Sequence, residues 1–178
     1  MTGLSHPIGL WRIIQDEAGN HVLDQDNIKG RNSWNRILFG NMTWKDYVIV
    51  CQLRFVDVDS SDNEFTNTGV NFRYDNLDPL AGSYDASMLT RGTLYMGYGN
   101  DRTSHYFELT HSDGYNVVVK QWYKIRVEID NNTYKFYIDD NEVLEATDST
   151  SLFGPAGFTV GPALHVQFDN ISVTEIIH

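Results

Sequence analysis

The chain has 178 residues, and with 13 lysines and arginines against 24 aspartates and glutamates its formal charge at pH 7 is −11. This length suits one domain with a substantial core, so we predict a single domain over residues 1–178. Proteins bind nucleic acid mainly through basic patches. The acidity and the absence of a lysine or arginine run therefore exclude nucleic acid as the main partner, and they favour neutral or cationic ligands and divalent metal.

Cysteine content and hydropathy exclude further classes. Cys51 is the only cysteine, which rules out an intrachain disulfide and a cysteine-rich zinc site. No apolar run approaches the ~20 residues that cross a bilayer, so we predict no membrane partner. Residues 1–7 lack the pattern of a signal peptide. We expect an extracellular or cell-surface location as part of a longer multidomain chain, and a cytoplasmic location stays open.

The first half of the chain is predicted to form short strands and one long strand. Strands are predicted over 10–14, 21–23 and 36–40, followed by a long strand over 47–55. The odd positions of that long strand are apolar, whereas its even positions become polar at Gln52 and Arg54. In the next strand, 69–74, Val70 and Phe72 point one way while Asn71 and Arg73 point the other. The pattern predicts sheets with one face in a core.

The second half continues this pattern. Strands are predicted over 84–90, 93–98 and 105–110, and 149–153 is predicted to form a short helical turn. Alternating residues over 123–129 and 134–138 flank Asp130-Asn131-Asn132, which predicts a hairpin. A short strand follows over 142–146, and the stretch 157–173 reads as a final strand. Many short strands without a helical period predict an all-β, two-sheet antiparallel sandwich.

Several short sequence segments, in their order along the chain, resemble those of known protein families. They are WRII at 11–14 followed by Gly19-Asn20, ILFG at 37–40, WKDY at 44–47, GVNFRY at 69–74, QWYKIRVEID at 121–130, YID at 137–139, the turn at 154–157 and FDNI at 168–171. This order resembles the concanavalin A-like and laminin G-like jelly rolls. It is most similar to carbohydrate-binding module family 66 and the related 3-keto-disaccharide hydrolase-like domains. The resemblance implies a two-sheet sandwich, a structural calcium in many members, and sugar binding on a concave face or at loop ends.

Sugar recognition needs aromatic rings for the apolar ring face and planar polar groups for the hydroxyls. If strands 47–55 and 69–74 pair, Arg73 and Asn71 lie beside Arg54 and Gln52. The predicted ligand-binding residues are Arg73, Asn71, Arg54, Gln52, Trp34, Tyr84, Asp85 and Tyr98, with Tyr95 as a further contributor. The alternative is that the arginines pair with acids on a solvated sheet and that Trp34 packs at the core edge. On the binding interpretation, Arg73→Ala weakens sugar binding and leaves the fold intact.

Calcium prefers several hard oxygen ligands, which jelly rolls gather from a terminal strand and distant loops. Asp169 is the predicted ligand in the final strand, and Asp24 and Asp148 are its predicted companions. The alternative is that Asp169 bonds to the backbone locally. Calcium is thus predicted as a structural cofactor.

The predicted function is a non-catalytic carbohydrate-binding module that recognises a polysaccharide or an oligosaccharide. Two alternatives stay open, a glycoside hydrolase-like enzyme of the same fold and a structural or adhesion module with a protein partner. A glycosidase needs two carboxylates about 5 to 10 Å apart. Glu128-Ile129-Asp130 is the nearest approach to the Glu-x-Asp-x-x-Glu pattern of glucanase relatives, and it lacks the third carboxylate. We therefore expect binding rather than catalysis.

Overall fold

The computed structural model of the chain describes residues 5–29, 34–59 and 66–178. These residues form fourteen strands and no helix. The strands are β1 Ser5–Ile8, β2 Trp11–Gln15, β3 His21–Asp26, β4 Asn35–Phe39, β5 Tyr47–Val58, β6 Asn67–Phe72, β7 Ser83–Leu89, β8 Leu94–Asn100, β9 His105–Ser112, β10 Trp122–Asp130, β11 Thr133–Ile138, β12 Asn141–Thr147, β13 Ala156–Val160 and β14 Leu164–Glu175. In these three ranges there is accordingly no helix with the length and apolarity that a membrane span requires.

The strands form two seven-stranded sheets. Sheet A has the order β1-β4-β13-β6-β7-β8-β9, and sheet B has the order β12-β11-β10-β5-β14-β3-β2. Every pair for which register is defined is antiparallel, as in β10 with β5 and in β7 with β8. The prediction of an all-β, two-sheet antiparallel sandwich is confirmed.

The core lies between the sheets and follows the alternation of the strands. All five odd positions of β5 from Tyr47 to Phe55 are buried, as their apolar pattern predicts. Phe158 of sheet A stacks on Phe168 of sheet B, with ring centroids 4.2 Å apart and an interplanar angle of 19°. Both rings are fully buried, and each contributes about 1.5–3 kcal/mol to folding. This stack joins the two layers.

The predicted hairpin is present. Asp130 pairs with Thr133 across a two-residue turn, and Asn131 has a φ of 52°. Asparagine tolerates this left-handed conformation better than most residues do. The next turn, at Asp139 and Asp140, has φ values of 51° and 65°, so both central residues are left-handed, as in a type I′ turn.

Two local predictions are wrong. Residues 149–153 form an irregular segment rather than a helical turn. The backbone N–H of Ser151 donates to the Tyr84 hydroxyl (3.0 Å) instead of to a helical partner. The stretch 157–173 is not one strand, because a turn at 161–163 moves the chain from β13 in sheet A to β14 in sheet B. Ala163 has a φ of 60°, which breaks the extended backbone there.

Candidate functional site

The outer face of sheet A points away from sheet B, and glycines make it hollow. The strand register places Asn71, Asp85, Gly97 and Glu108 in one row across β6, β7, β8 and β9. Neighbouring residues of these strands lie in the core, and successive side chains of a strand point to opposite faces. The row therefore faces outward, and Gly97, which has no side chain, separates two carboxyl residues, Asp85 and Glu108.

This hollow is a groove of about 920 Å³, within the usual size range of small-molecule sites. We name it the sheet A groove. Its walls combine aromatic rings with charged and amide side chains. The main lining residues are Trp34, Arg36, Asn71, Asp85, Tyr95 and Tyr106.

Two tyrosine rings lie against glycines of β8. A Cβ atom at Gly97 would come within 2.0 Å of the Tyr95 hydroxyl oxygen and 2.7 Å of a ring carbon. A Cβ atom at Gly99 would come within 3.0 Å of the Tyr106 ring. The rings thus occupy space that only glycine leaves open. Tyr95 is partly buried, whereas Tyr106 is 59% exposed, so a ligand in the groove can reach its ring.

Asp85 lies in the floor of the groove. Its carboxylate accepts a hydrogen bond from the Ser87 hydroxyl (3.1 Å), and Ser87 is itself buried. No ion pair to Asp85 is formed by the residues that the structure describes. Burial disfavours the charged form and raises the pKa of this carboxyl to about 7. A carboxyl that titrates near neutral pH inside a groove is a common feature of functional sites.

An ion pair joins the two sides of the groove. Arg36 of β4 pairs with Asp101, which follows β8, although β13, β6 and β7 lie between these strands in the sheet. Arg36 also donates to the carbonyl of Pro79 (3.2 Å), and the Tyr106 hydroxyl donates to Asp101 (2.8 Å). The guanidinium of Arg36 and the ring of Tyr106 are therefore held in place before any ligand arrives.

A histidine–carboxylate pair stands on β9 at the rim. The Nδ1 atom of His111 lies 2.6 Å from a carboxylate oxygen of Glu108, and its Nε2 atom lies 3.8 Å from Asp113. The hydrogen bond to Glu108 raises the pKa of His111 above its ordinary value. Both members of the pair are exposed, so they are accessible from the groove.

Four of the eight predicted ligand-binding residues line the groove, namely Trp34, Asn71, Asp85 and Tyr98. The Asn71 carbonyl oxygen accepts a hydrogen bond from the Thr159 hydroxyl, which leaves its amide nitrogen as a donor. Tyr98 has its ring in the core, and its hydroxyl donates to Asp75 (2.7 Å) at the groove edge. A role for these four residues in ligand binding stays a prediction.

Strands 47–55 and 69–74 do not pair, so the condition that would bring Arg73 and Asn71 beside Arg54 and Gln52 is not met. β5 lies in sheet B between β10 and β14, whereas β6 lies in sheet A. Arg54 and Gln52 therefore lie on the outer face of sheet B, far from the groove. Arg54 donates two hydrogen bonds to Gln167 (2.8 and 2.6 Å) and lies over the Trp122 ring at 4.7 Å, while Gln52 accepts one from Asn170 (2.7 Å).

Arg73 is in the interior, with 0% exposure. β6 ends at Phe72, and Arg73 has a φ of 51°, which ends the alternation and turns its side chain inward. Its guanidinium donates to the Lys45 carbonyl (2.9 Å), the Tyr134 hydroxyl (3.0 Å) and Asp46 (3.2 Å). The expectation that Arg73 contacts a surface ligand does not fit this position, because every side of the guanidinium is covered.

Tyr84 also belongs to the interior. Its ring stacks on Phe72 at 5.4 Å, and its hydroxyl donates to the Asp148 carboxylate (2.5 Å). The hydroxyl also accepts from Ser151 N–H (3.0 Å). Tyr84 therefore fixes the segment after β12 rather than facing the groove.

The three predicted calcium ligands do not converge. Asp24 accepts from Gln167 (2.8 Å) and lies 2.7 Å from His165, while Asp169 accepts from the backbone N–H of Asn170 (2.7 Å). Asp148, which binds Tyr84, lies at the end of β12 at the opposite edge of sheet B from Asp24. Calcium thus stays a prediction without a converging set of oxygen ligands in the described ranges.

Within the described ranges, one other group could hold a cation, Asp46 with Asp130 and His178. Asp46 already accepts from the Arg73 guanidinium (3.2 Å) and from Asn131 N–H (2.8 Å), and Lys45 lies 3.7 Å away. Two nearby cations and an imidazole do not suit calcium, which prefers several hard oxygens. Asp46 thus belongs to the buried network of Arg73, whereas Asp130 and His178 are about half exposed.

Sequence reasoning missed Arg36, Tyr106 and Glu108. One signal was readable in LYMGYGN, where the outward positions are Tyr95, Gly97 and Gly99. Glycines at alternate positions of a strand indicate a close approach by another group. The ion pair of Arg36 with Asp101 had no sequence signal, because 65 residues separate them.

Comparisons with known proteins support the fold and identify the family. Among solved structures, carbohydrate-binding module CBM66 from Bacillus subtilis is similar with a TM-score of 0.72, 16% identity, and coverage of 94% of this chain and 92% of that chain. Alginate lyase A1-II' has a TM-score of 0.65 and 11% identity over 92% of this chain and 83% of that chain. Sheep galectin-11 has a TM-score of 0.55 and 7% identity over 81% and 98%.

At these identities the likeness shows the shared fold alone. No curated protein matches the sequence. The sequence profile of the 3-keto-alpha-glucoside-1,2-lyase-like domain matches residues 7–174. Both parts of the predicted resemblance, to carbohydrate-binding module family 66 and to the 3-keto-disaccharide family, are confirmed. The chain belongs to the 3-keto-alpha-glucoside-1,2-lyase-like domain family.

Proposed function

We propose that this chain binds carbohydrate in the sheet A groove. The observation that carries the proposal is the pair of tyrosine rings, Tyr95 and Tyr106, that lie against Gly97 and Gly99 on the groove floor. A sugar presents an apolar ring face and a rim of hydroxyl groups. The tyrosine rings match the first, and the neighbouring amide and charged groups match the second.

The polar groups of the groove are preorganised. Arg36 is held by Asp101 and Pro79, and Asn71 is held by Thr159. Side chains that are fixed before binding lose little conformational entropy when a ligand arrives. A carbohydrate-binding module and a galectin share this fold, which adds support.

Removal of the exposed ring of Tyr106 tests the proposal. We expect Tyr106→Ala to weaken binding roughly tenfold, because it deletes the more exposed ring. The measurement is affinity electrophoresis of the whole chain in gels that contain dextran, xylan, glycol chitosan or alginate, followed by calorimetry with the polysaccharide that retards it. Phe153→Ala is the matched control, because Phe153 is an aromatic ring of similar exposure (57%) outside the groove lining. Equal retardation of Tyr106→Ala and the native chain would remove the groove as the binding site.

A second candidate function is cleavage of the bound sugar. Asp85 and Glu108 both pair with Gly97, one from each side, and the Tyr95 hydroxyl lies over Gly97. The backbone spacing is two interstrand distances, about 10 Å, and Asp85 has a pKa raised by burial to about 7. One protonated acid and one carboxylate at such a separation resemble the acid–base pair of glycosidases. The lyase-like name of the family also favours a catalytic role.

One assay distinguishes the two candidate functions. A binding module is retarded in the gel, and it releases no new reducing or unsaturated ends from the polysaccharide that retards it. An enzyme releases them, and Glu108→Gln should lower that rate by at least about a hundredfold while retardation persists. Release of product that is insensitive to Glu108→Gln would exclude this pair as the catalytic groups.

A further inference from the structure

The geometry of the sheet A groove points to a cationic sugar as its ligand: we propose that it selects a hexosamine unit whose ammonium group lies against Asp85. This inference rests on the proposed function, because it names the class of sugar that the same groove takes.

Asp85 carries a carboxyl group that forms no ion pair with any residue that the structure describes. The nearest cation, the guanidinium of Arg36, is already bound to Asp101 and to the Pro79 carbonyl. The hydroxyl of Ser87 is the one side chain of the described residues that donates to Asp85. A desolvated carboxylate that lacks a cation is costly, so a ligand that supplies one is favoured over a ligand that does not.

The charges around the groove also favour a cationic ligand. Four carboxylates line it against two arginines and one histidine, and the chain carries a formal charge of −11. The carboxylates are Asp85, Asp101, Glu108 and Asp113, and the arginines are Arg36 and Arg91. One arginine is neutralised by Asp101, and the histidine is paired with Glu108. This field attracts an ammonium group and repels a uronate.

The groove also offers an aromatic ring next to Asp85. Tyr95 lies against Gly97, the direct strand neighbour of Asp85. An ammonium group has three donors and is attracted to aromatic faces, whereas a neutral hydroxyl brings one donor and no charge.

Titration supplies a readout that is independent of affinity. Because burial raises the pKa of Asp85 to about 7, a substantial fraction of the carboxyl is protonated at neutral pH. An ammonium group beside it stabilises the carboxylate, so the protein releases a proton on binding. Calorimetry in two buffers with different ionisation enthalpies measures that proton, in mildly acidic solution where the glucosamine amines are already ammonium groups and take up no proton on binding.

The test compares two matched tetrasaccharides on the whole chain, one of glucosamine and one of N-acetylglucosamine. We expect the glucosamine tetramer to bind at least roughly tenfold more tightly, to release a proton, and to weaken when sodium chloride rises from about 50 to about 500 mM. Asp85→Asn should remove most of this preference and the proton release. Asp169→Asn, which makes the same change of charge on sheet B, should remove neither.

Three outcomes would overturn the inference: equal or tighter binding of the N-acetylated tetramer, tighter binding of an alginate tetramer, or an unchanged preference in Asp85→Asn. The outcomes also separate the two proposals. If neutral glucans bind in a Tyr106-dependent way while glucosamine oligomers do not, the choice of a cationic sugar fails and the proposed function stands. If no glycan binds, both fail.

Discussion

The outer faces of the two sheets have similar polar residues and differ in the space that is left beside those residues. On sheet B, Arg54 bonds to Gln167, Gln167 to Asp24, and Asp24 to His165, so each polar group is paired with its neighbour. On sheet A, glycines leave a hollow, and Asp85 faces it without an ion pair among the described residues. Polar residues thus make a candidate site only where missing side chains leave room for a ligand.

The largest effect is expected in the interior between these faces. Arg73→Ala should lower the free energy of unfolding by about 3–5 kcal/mol, because it leaves the buried Asp46 carboxylate without its guanidinium. Urea denaturation measures this loss. Near-native stability combined with lost sugar binding would return Arg73 to the binding surface and contradict the buried position described above.

The pH dependence of Asp85→Asn probes the unpaired carboxyl of sheet A. Burial raises the pKa of Asp85 to about 7, above its unfolded value of about 3.9. The stabilisation from protonation is therefore complete below about pH 4 and is lost as the pH rises through 7. Relative to the native chain, Asp85→Asn should gain stability across this window, by up to about 1.4 kcal/mol per pH unit. Denaturation at several pH values gives the slope, and a difference independent of pH would argue against a raised pKa.

Arg54→Ala tests the paired face of sheet B. It removes two hydrogen bonds to Gln167 and the contact with the Trp122 ring. We expect a loss of about 1–2 kcal/mol in unfolding free energy, since the side chain is only partly buried. Binding of the retained polysaccharide should not change in calorimetry. Weaker binding with unchanged stability would mean that sheet B carries a ligand site.

Gln52→Ala should have the smallest effect. The side chain accepts one hydrogen bond from Asn170 at an exposed position of sheet B. Stability within about 0.5 kcal/mol of the native value is expected, together with unchanged binding. Thermal melts and the same calorimetric titration check both, and a clear loss of affinity would again place the ligand on sheet B.

Residue patterns predicted much of the fold and about half of the candidate site. The odd positions of β5 and the Asn131 turn were readable because alternation and turn chemistry are local properties. Asp85 and Asn71 could be predicted as outward-facing polar residues for the same reason. The orientation of Arg73 could not be predicted, because it depends on a left-handed backbone at the end of β6, which the alternation does not encode.

The sequence by itself determined that the chain is a two-sheet sandwich, since its alternating strands must bury one face each, and it specified which side chains share a face of a strand. The tertiary structure decided which strands share a sheet. Alternation has the same period in every strand, so it cannot distinguish a partner in sheet A from one in sheet B. The placement of β5 and β6 in different sheets separated Arg54 from Asn71, and the register of β7, β8 and β9 brought Asp85, Gly97 and Glu108 together in the groove.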